Sequence, residues 1–328
     1  MKVATFYSPE DIRVVEQDIP EINEGEALLE VRACGICGTD LFKLKEGRKG
    51  EVLGHEVSGI IRKIKGESIF KEGERVSVAH HIPCFVCSFC RHGNFSLCPQ
   101  FRQTNLFPGG FSQFLKVPFL NLKFGTLSLP PSLSFEEATL IEPFACAWRN
   151  IKRISPLPED RVLIIGCGPA GLMHLLLLRM VGIVQIHTLD LVEWRREFSL
   201  TLGATKSLSP ESTEKEYDVV IVAAGNVRAI QEGIRRVRRG GKLSIFAQVE
   251  KGEKITLDPN LIYYETTLCG TYSSTPIEQR EILRFMEGGK LKGGVLITHT
   301  FPLSRIKEAF QLALKGGASC KIIVYPQK

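Results

Sequence analysis

Four cysteines, Cys84, Cys87, Cys90 and Cys98, follow the spacing C-x2-C-x2-C-x7-C among the turn residues Pro83, Gly93 and Asn94. Four thiolates this close in sequence can surround one tetrahedral ion. Zinc suits such a set because it accepts sulfur ligands, carries no redox liability and can hold a loop that has little core of its own. With no open position the site reads as structural, the alternatives being four unligated thiols or an iron–sulfur cluster. A second group offers other ligands in Cys34-Gly35-Ile36-Cys37-Gly38-Thr39-Asp40, Gly54-His55-Glu56 and Ile141-Glu142-Pro143. A thiolate, an imidazole and a carboxylate around one zinc leave room for water or a substrate oxygen. Taken alone, His55 reads equally well as a satisfied core histidine and Glu56 as a surface charge.

A third constellation is Val162-Leu163-Ile164-Ile165 running into Gly166-Cys167-Gly168-Pro169-Ala170-Gly171 and then into an apolar, helix-like segment. This is G-x-G-x-x-G between a strand and a helix, the context in which it binds a dinucleotide. Gly166 permits the tight turn, Gly168 lets a pyrophosphate approach the backbone, and Gly171 lets helix and strand pack closely. Twenty-four residues after Gly166, Asp190 ends the next apolar strand. An acid there accepts hydrogen bonds from the adenosine ribose and repels a 2′-phosphate, which favours NAD over NADP. Arg195 and Arg196, five and six residues further on, are the competing signal. The plainer reading has the glycines making a turn and Asp190 capping the next helix.

The elements that must position these groups fall into two rhythms. From Lys2 to about Val117 the chain reads as short strands and turns, including Ala27–Val31, Val57–Ile64 and Arg75–Ala79. From about Arg161 to Met286 apolar strands alternate with helix-length segments, the strands being Val162–Ile165, Val184–Leu189, Asp218–Val222 and Lys242–Phe246. Such alternation implies a parallel sheet with helices on both faces. The last stretch, Val295 to Lys328, offers a strand, an amphipathic helix with Ile306, Phe310, Leu312 and Leu314, and a final Cys320–Tyr325 strand; order alone does not assign it to either half.

At 328 residues the chain is long enough for two cores. Its net charge of +6 comes from 42 basic and 36 acidic residues dispersed along the sequence, which argues against nucleic-acid binding. The strand-like start has no signal-peptide pattern, and the longest apolar stretch, Leu172 to Val184, is broken by His174, Arg179 and Gly182, so no membrane segment is expected. Ten cysteines with four clustered point to metal binding in a reducing compartment, the cytoplasm.

Together these motifs resemble the zinc-containing medium-chain dehydrogenase/reductase family of alcohol, sorbitol and threonine dehydrogenases, over nearly the whole chain. The resemblance implies an α/β protein: a GroES-like β-rich catalytic domain over 1–142 with its zinc lobe at 84–98, a Rossmann doubly wound parallel-sheet nucleotide domain over 143–285, and a return to the catalytic domain over 286–328. It makes Cys37, and not Cys34, the catalytic zinc ligand beside His55, with Glu56 or Glu142 completing the set. Thr39 matches the hydroxyl residue that takes the substrate proton. Arg195 stands where NAD users commonly carry a basic residue, and Lys321 resembles one that approaches the cofactor pyrophosphate. Phe42 departs from the pattern, since many members carry a relay histidine there. The implied protein holds two zinc ions, uses NAD, interconverts an alcohol with a ketone or aldehyde, and forms a homodimer or homotetramer. The alternatives are a zinc-free enone or quinone reductase on the same fold, against which Cys37, His55 and the four-cysteine lobe argue, and a zinc- and nucleotide-binding protein without turnover.

Overall fold

Ala27, Leu29, Val31 and Ala33 alternate along the strand Ala27–Gly35 and are fully buried, which is the signature of a strand with one face on a core. This strand pairs antiparallel with Glu56–Ile64, Phe114–Val117 and Lys321–Tyr325. The computed structural model describes residues 1–46 and 50–328. Within them the seven-stranded sheet runs Ile297–Pro302, Lys321–Tyr325, Ala27–Gly35, Glu56–Ile64, Arg75–Val78, Thr126–Ser128, with Phe114–Val117 branching from Ala27–Gly35. The final strands therefore close the sheet that the first hundred residues begin. The helix Ile306–Lys315 between them buries Phe310 against Phe6 and Phe111, with ring centroids 4.8 and 5.5 Å away.

The chain divides into two compact units, Met1–Ala145 with Ser274–Lys328, and Cys146–Ser273. These junctions differ from the expected 142/143 and 285/286. Thr275 and Glu278 form a capping box that starts the helix Pro276–Glu287, and Arg280 donates to the Phe124 carbonyl at 2.7 Å, so this helix belongs with the first unit. The sequence rhythm alone reads it as one more helix of the nucleotide half.

In the second unit six parallel strands lie in the order Lys206–Leu208, Ile186–Leu189, Val162–Ile165, Tyr217–Val222, Val237–Ile245, Thr267–Gly270. Numbered within the unit this is 3-2-1-4-5-6, the doubly wound order in which the direction of winding reverses beside Val162–Ile165. Ligands bind at the carboxyl ends of the strands at that reversal, and the glycine motif begins there. Among the described residues no helix is long and apolar enough to cross a membrane.

His174, on the helix Pro169–Met180, is fully buried in this unit. Its Nδ1 faces the Ala170 carbonyl at 2.7 Å, so Nδ1 carries the proton and Nε2 accepts from Asn150 Nδ2 at 3.0 Å. Asn150 Oδ1 in turn accepts from Ser244 and Thr271 at 2.7 and 2.9 Å. Burial lowers the His174 pKa from 6.5 to about 4 against the raising effect of the Ala170 bond. Between those values the unfolded chain takes up a proton that the folded one refuses, so stability falls as pH falls through that window, by about 3 kcal/mol at most. The drop in Tm from pH 7.5 to 4.5 is expected to be smaller in His174→Leu than in wild type. An equal drop in both proteins rejects this role for the histidine.

Candidate metal and nucleotide sites

The strand Ala27–Gly35 delivers the chain to Cys37, which precedes the helix Gly38–Glu46, and the strand Glu56–Ile64 begins beside His55. Ligand atoms of Cys37, His55 and Glu56 all lie within 4.8 Å of one another. Asp40, fully buried, ties the two segments together by accepting from the amides of Cys37 at 3.0 Å and Gly54 at 3.3 Å. Its Oδ1 also lies 3.4 Å from His55 Nδ1, which orients the ring and leaves Nε2 as the ligating nitrogen. Burial disfavours a charged His55, but Asp40 and Cys37 outweigh it and hold its pKa well above the usual imidazole range. The surroundings of the three ligands thus favour a cation.

Glu56 is fully buried and ion-paired with Lys321, while its Oε1 has no hydrogen-bond partner. An orphaned buried carboxylate oxygen is costly unless a cation meets it, and the mixed sulfur, nitrogen and oxygen donors suit zinc. Glu142 lies outside this group but close enough for its charge to bear on Glu56 and Lys321, and its Oε1 accepts from Ser274 at 3.3 Å. Thr39 is exposed at the start of its helix, with its amide 3.5 Å from Cys37 Sγ. Cys34 faces elsewhere: burial first, then the charges of Asp40 and Glu56, hold its thiol well above the usual range, so it stays protonated.

Cys84, Cys87, Cys90 and Cys98 also gather within 4.8 Å. The Cys87–Cys90 and Cys84–Cys90 sulfur separations are 3.6 and 3.9 Å. They bracket the edge of about 3.8 Å that a tetrahedron with Zn–S bonds of about 2.3 Å requires. Backbone amides of Val86 and Cys87 bring the Cys84 thiol down to about 6, so it is largely thiolate at neutral pH. Only Cys90, Cys98 and Phe101 form the buried core of this lobe, with Cys84, Cys87 and Phe95 packed on it. Little but a metal can hold it.

In the second unit Gly166 has φ +98°, a left-handed conformation that other residues rarely adopt. A side chain at Gly171 would run into the Gly166 carbonyl oxygen. Gly168 caps the helix Pro169–Met180, whose proline occupies the first turn and whose free amides face the turn. Asp190 Oδ2 accepts from the Cys167 amide at 2.7 Å and Oδ1 from the Val192 amide at 2.8 Å. The acid thus braces the glycine turn, and each oxygen keeps a lone pair for a ribose hydroxyl. Arg196 is bound to the Asp190 and Leu191 carbonyls, whereas Arg195 keeps a buried Nε without a partner.

The resemblance gives Lys321 an approach to the cofactor pyrophosphate; in the structure its ammonium is buried, donating to the Ile36 carbonyl at 3.0 Å and pairing with Glu56. The strand pairing of Lys321–Tyr325 with Ala27–Gly35 turns it inward, and nothing local in Ser319-Cys320-Lys321 announces that. Sequence reasoning also passed over Asp40, whose signal is a carboxylate three residues after Cys37, and the His80-His81 pair just ahead of the four cysteines. The His80 ring lies against His55, tilted by 51° with centroids 4.8 Å apart.

Comparison with known proteins agrees with this architecture. Residues 23–123 match the alcohol dehydrogenase GroES-like domain and residues 169–288 the zinc-binding dehydrogenase domain. A sorbitol dehydrogenase of Bacillus subtilis (strain 168) is 32% identical, covering 100% of this chain and 98% of the relative. An L-threonine 3-dehydrogenase of Caldanaerobacter subterraneus subsp. tengcongensis is 30% identical, covering 99% and 98%. The crystal structure of 2R,3R-butanediol dehydrogenase from Bacillus subtilis superposes with a TM-score of 0.86 at 26% identity over 99% of each chain. With a three-ligand group of open geometry, a four-thiolate lobe and a nucleotide-type sheet in one chain, this protein belongs to the zinc-containing medium-chain dehydrogenase/reductase family of alcohol and polyol dehydrogenases, oxidoreductases that act on CH–OH groups.

Proposed function

We propose that the chain is an NAD-preferring dehydrogenase of polyols or secondary alcohols holding two zinc ions, one at Cys37, His55 and either Glu56 or Glu142, the other at Cys84, Cys87, Cys90 and Cys98. The observation that carries this reading is the convergence of a thiolate, an imidazole and a carboxylate beside an exposed Thr39. Zinc bound there supplies an electrophile for the substrate oxygen. Asp40 fixes the His55 ring, Lys321 restrains Glu56, and Thr39 takes the hydroxyl proton. Phe42 cannot carry that proton onward, so a relay ending in a histidine at this position is absent. With Gly166 shaping the turn, its own amide held by the Leu189 carbonyl at 2.8 Å, the amides at Gly168 and Gly171 would hold the pyrophosphate, and Asp190 would accept from the ribose with Arg195 as the nearby basic residue. The relatives' names, sorbitol dehydrogenase and butanediol dehydrogenase, support a hydroxylated substrate. Free cysteines throughout the described residues support a cytoplasmic setting, and family membership a homodimer or homotetramer.

The test is zinc content together with substrate-dependent reduction of NAD and NADP over a panel of alcohols. Nucleotide binding with no turnover of any alcohol by fully zinc-loaded protein rejects the reading. Asp190→Ala tests the cofactor assignment separately. A charge-assisted hydrogen bond contributes about 1.5 to 3 kcal/mol, so kcat/KM for NAD should fall about tenfold or more and its advantage over NADP should narrow. A wild type that favours NADP, or a ratio that the substitution leaves unchanged, sinks the role given to Asp190.

A further inference from the structure

Gly35 stands opposite Glu56 in the pairing of Ala27–Gly35 with Glu56–Ile64, and opposite Ile323 in the pairing with Lys321–Tyr325. Residues opposite one another share a face of a sheet, and so do residues two apart on a strand. Lys321, Gly35 and Glu56 therefore lie on one face across three adjacent strands, and the outer two side chains meet over the middle one. A Cβ placed on Gly35 would run into Glu56 Oε2 and stand 2.9 Å from Lys321 Cε. Gly35 is not among the glycines of positive φ, so its backbone is one that any residue adopts and space is the reason for its missing side chain.

The ammonium is anchored independently of the carboxylate. It donates to the Ile36 carbonyl at 3.0 Å, and the Ile36 amide donates to the Ile322 carbonyl at 3.0 Å. Lys321 thus holds Glu56 from a fixed point, and the two carboxylate oxygens differ: Oε2 meets the ammonium, whereas Oε1 has no hydrogen-bond partner. Glu142, whose charge also bears on this pair, lies outside the group of ligand atoms; its Oε1 accepts from Ser274, which accepts from Gln279 at 3.2 Å. A carboxylate with both oxygens free can bind a metal through the two together and fill the position that a substrate needs.

We propose that Lys321 is a positioning residue that makes Glu56 a one-oxygen metal ligand: the ammonium keeps Oε2, Oε1 alone meets the metal beside Cys37 and His55, and one coordination position stays open. Gly35 is the notch in which the pair sits. This rests on the reading of Cys37, His55 and Glu56 as metal ligands and deepens it by assigning the ligating oxygen and the residue that selects it.

The test replaces the metal of the three-ligand site by cobalt(II), with zinc kept at the four cysteines, and reads the visible d–d absorption, strong for four ligands and weak for five. Wild type should give the strong band. In Lys321→Met both oxygens reach the metal, so the band should weaken by about threefold or more, and Lys321→Arg should restore most of it. A chelator should strip the metal from Lys321→Met about tenfold more slowly than from wild type, because a ligand oxygen is gained and a neighbouring positive charge is lost. A lysine that only supported the fold would have the opposite effect on that rate. Gly35→Ala, which displaces the pair by bulk alone, should weaken the band as well, and it decides the matter if Lys321→Met does not fold. A weak band in wild type, or a band that both substitutions leave unmoved, overturns the inference while the metal reading stands. Failure of cobalt to bind at this site, in protein that keeps its four-cysteine zinc, sinks the metal reading and this inference together.

Discussion

Cys37→Ala is expected to lower kcat/KM by about a thousandfold or more, equivalent to about 4 kcal/mol of transition-state stabilisation. The substitution deletes the thiolate of the three-ligand group and leaves Asp40 still bridging the Cys37 and Gly54 amides, so the local backbone keeps its bracing. Zinc content should drop from two to one per chain, and the affinity for NADH, read by fluorescence, should stay within about threefold because the glycine turn is untouched. Cys34→Ala is the matched control. Its buried sulfur packs where side chains at Gly54 and Gly110 would meet it, so removal costs packing of about 1 kcal/mol and little turnover. Activity of Cys37→Ala within about tenfold of wild type would mean that the open metal site lies elsewhere.

Removing one thiolate from the other set should act on order and not on chemistry. With Cys90, Cys98 and Phe101 as its whole buried core, the lobe from 84 to 103 lacks the apolar burial needed to stand alone. Structural zinc supplies about 10 to 16 kcal/mol of apparent folding free energy in small zinc-dependent peptides, far more than three buried side chains provide. In Cys98→Ala, limited proteolysis is therefore expected to cut within 84–103 at a rate at least about tenfold above wild type. The sheet built on Ala27–Gly35 should persist by circular dichroism. A variant that keeps both zinc ions, or that resists the protease as wild type does, rejects a structural metal at these cysteines.

The features legible in the sequence were those whose partners lie close along the chain. The glycine turn, its strand Val162–Ile165 and the four cysteines each complete their pattern within a few residues. The strand Val237–Ile245 is bounded five residues before the expected Lys242, but its pairing with Tyr217–Val222 shifts register between Val237 and Lys242, where Gly240 adopts a positive φ of +68°, so continuous pairing starts at Lys242. Long-range pairing was the harder part. No local pattern shows that Lys321–Tyr325 lies against Ala27–Gly35, so order alone left the C-terminal segment unassigned and the pairing of Lys321 with Glu56 out of view. His80 was equally opaque, since its significance comes from facing His55 across strands that the sequence separates.

The closure of the first sheet by its last strand also has a temporal meaning. Ile36 and Lys321 are 285 residues apart, and at about 5 to 20 residues per second a ribosome needs roughly 15 to 60 s to make the stretch between them. Throughout that interval Ala27–Gly35 exposes the edge reserved for Lys321–Tyr325, and Glu56 has no lysine to meet. Cys146–Ser273 is continuous and can fold meanwhile as a unit. The nascent chain can thus complete its nucleotide half first while an edge of Ala27–Gly35, the kind of unpaired edge that invites wrong pairing, stays uncovered until Lys321–Tyr325 has been made.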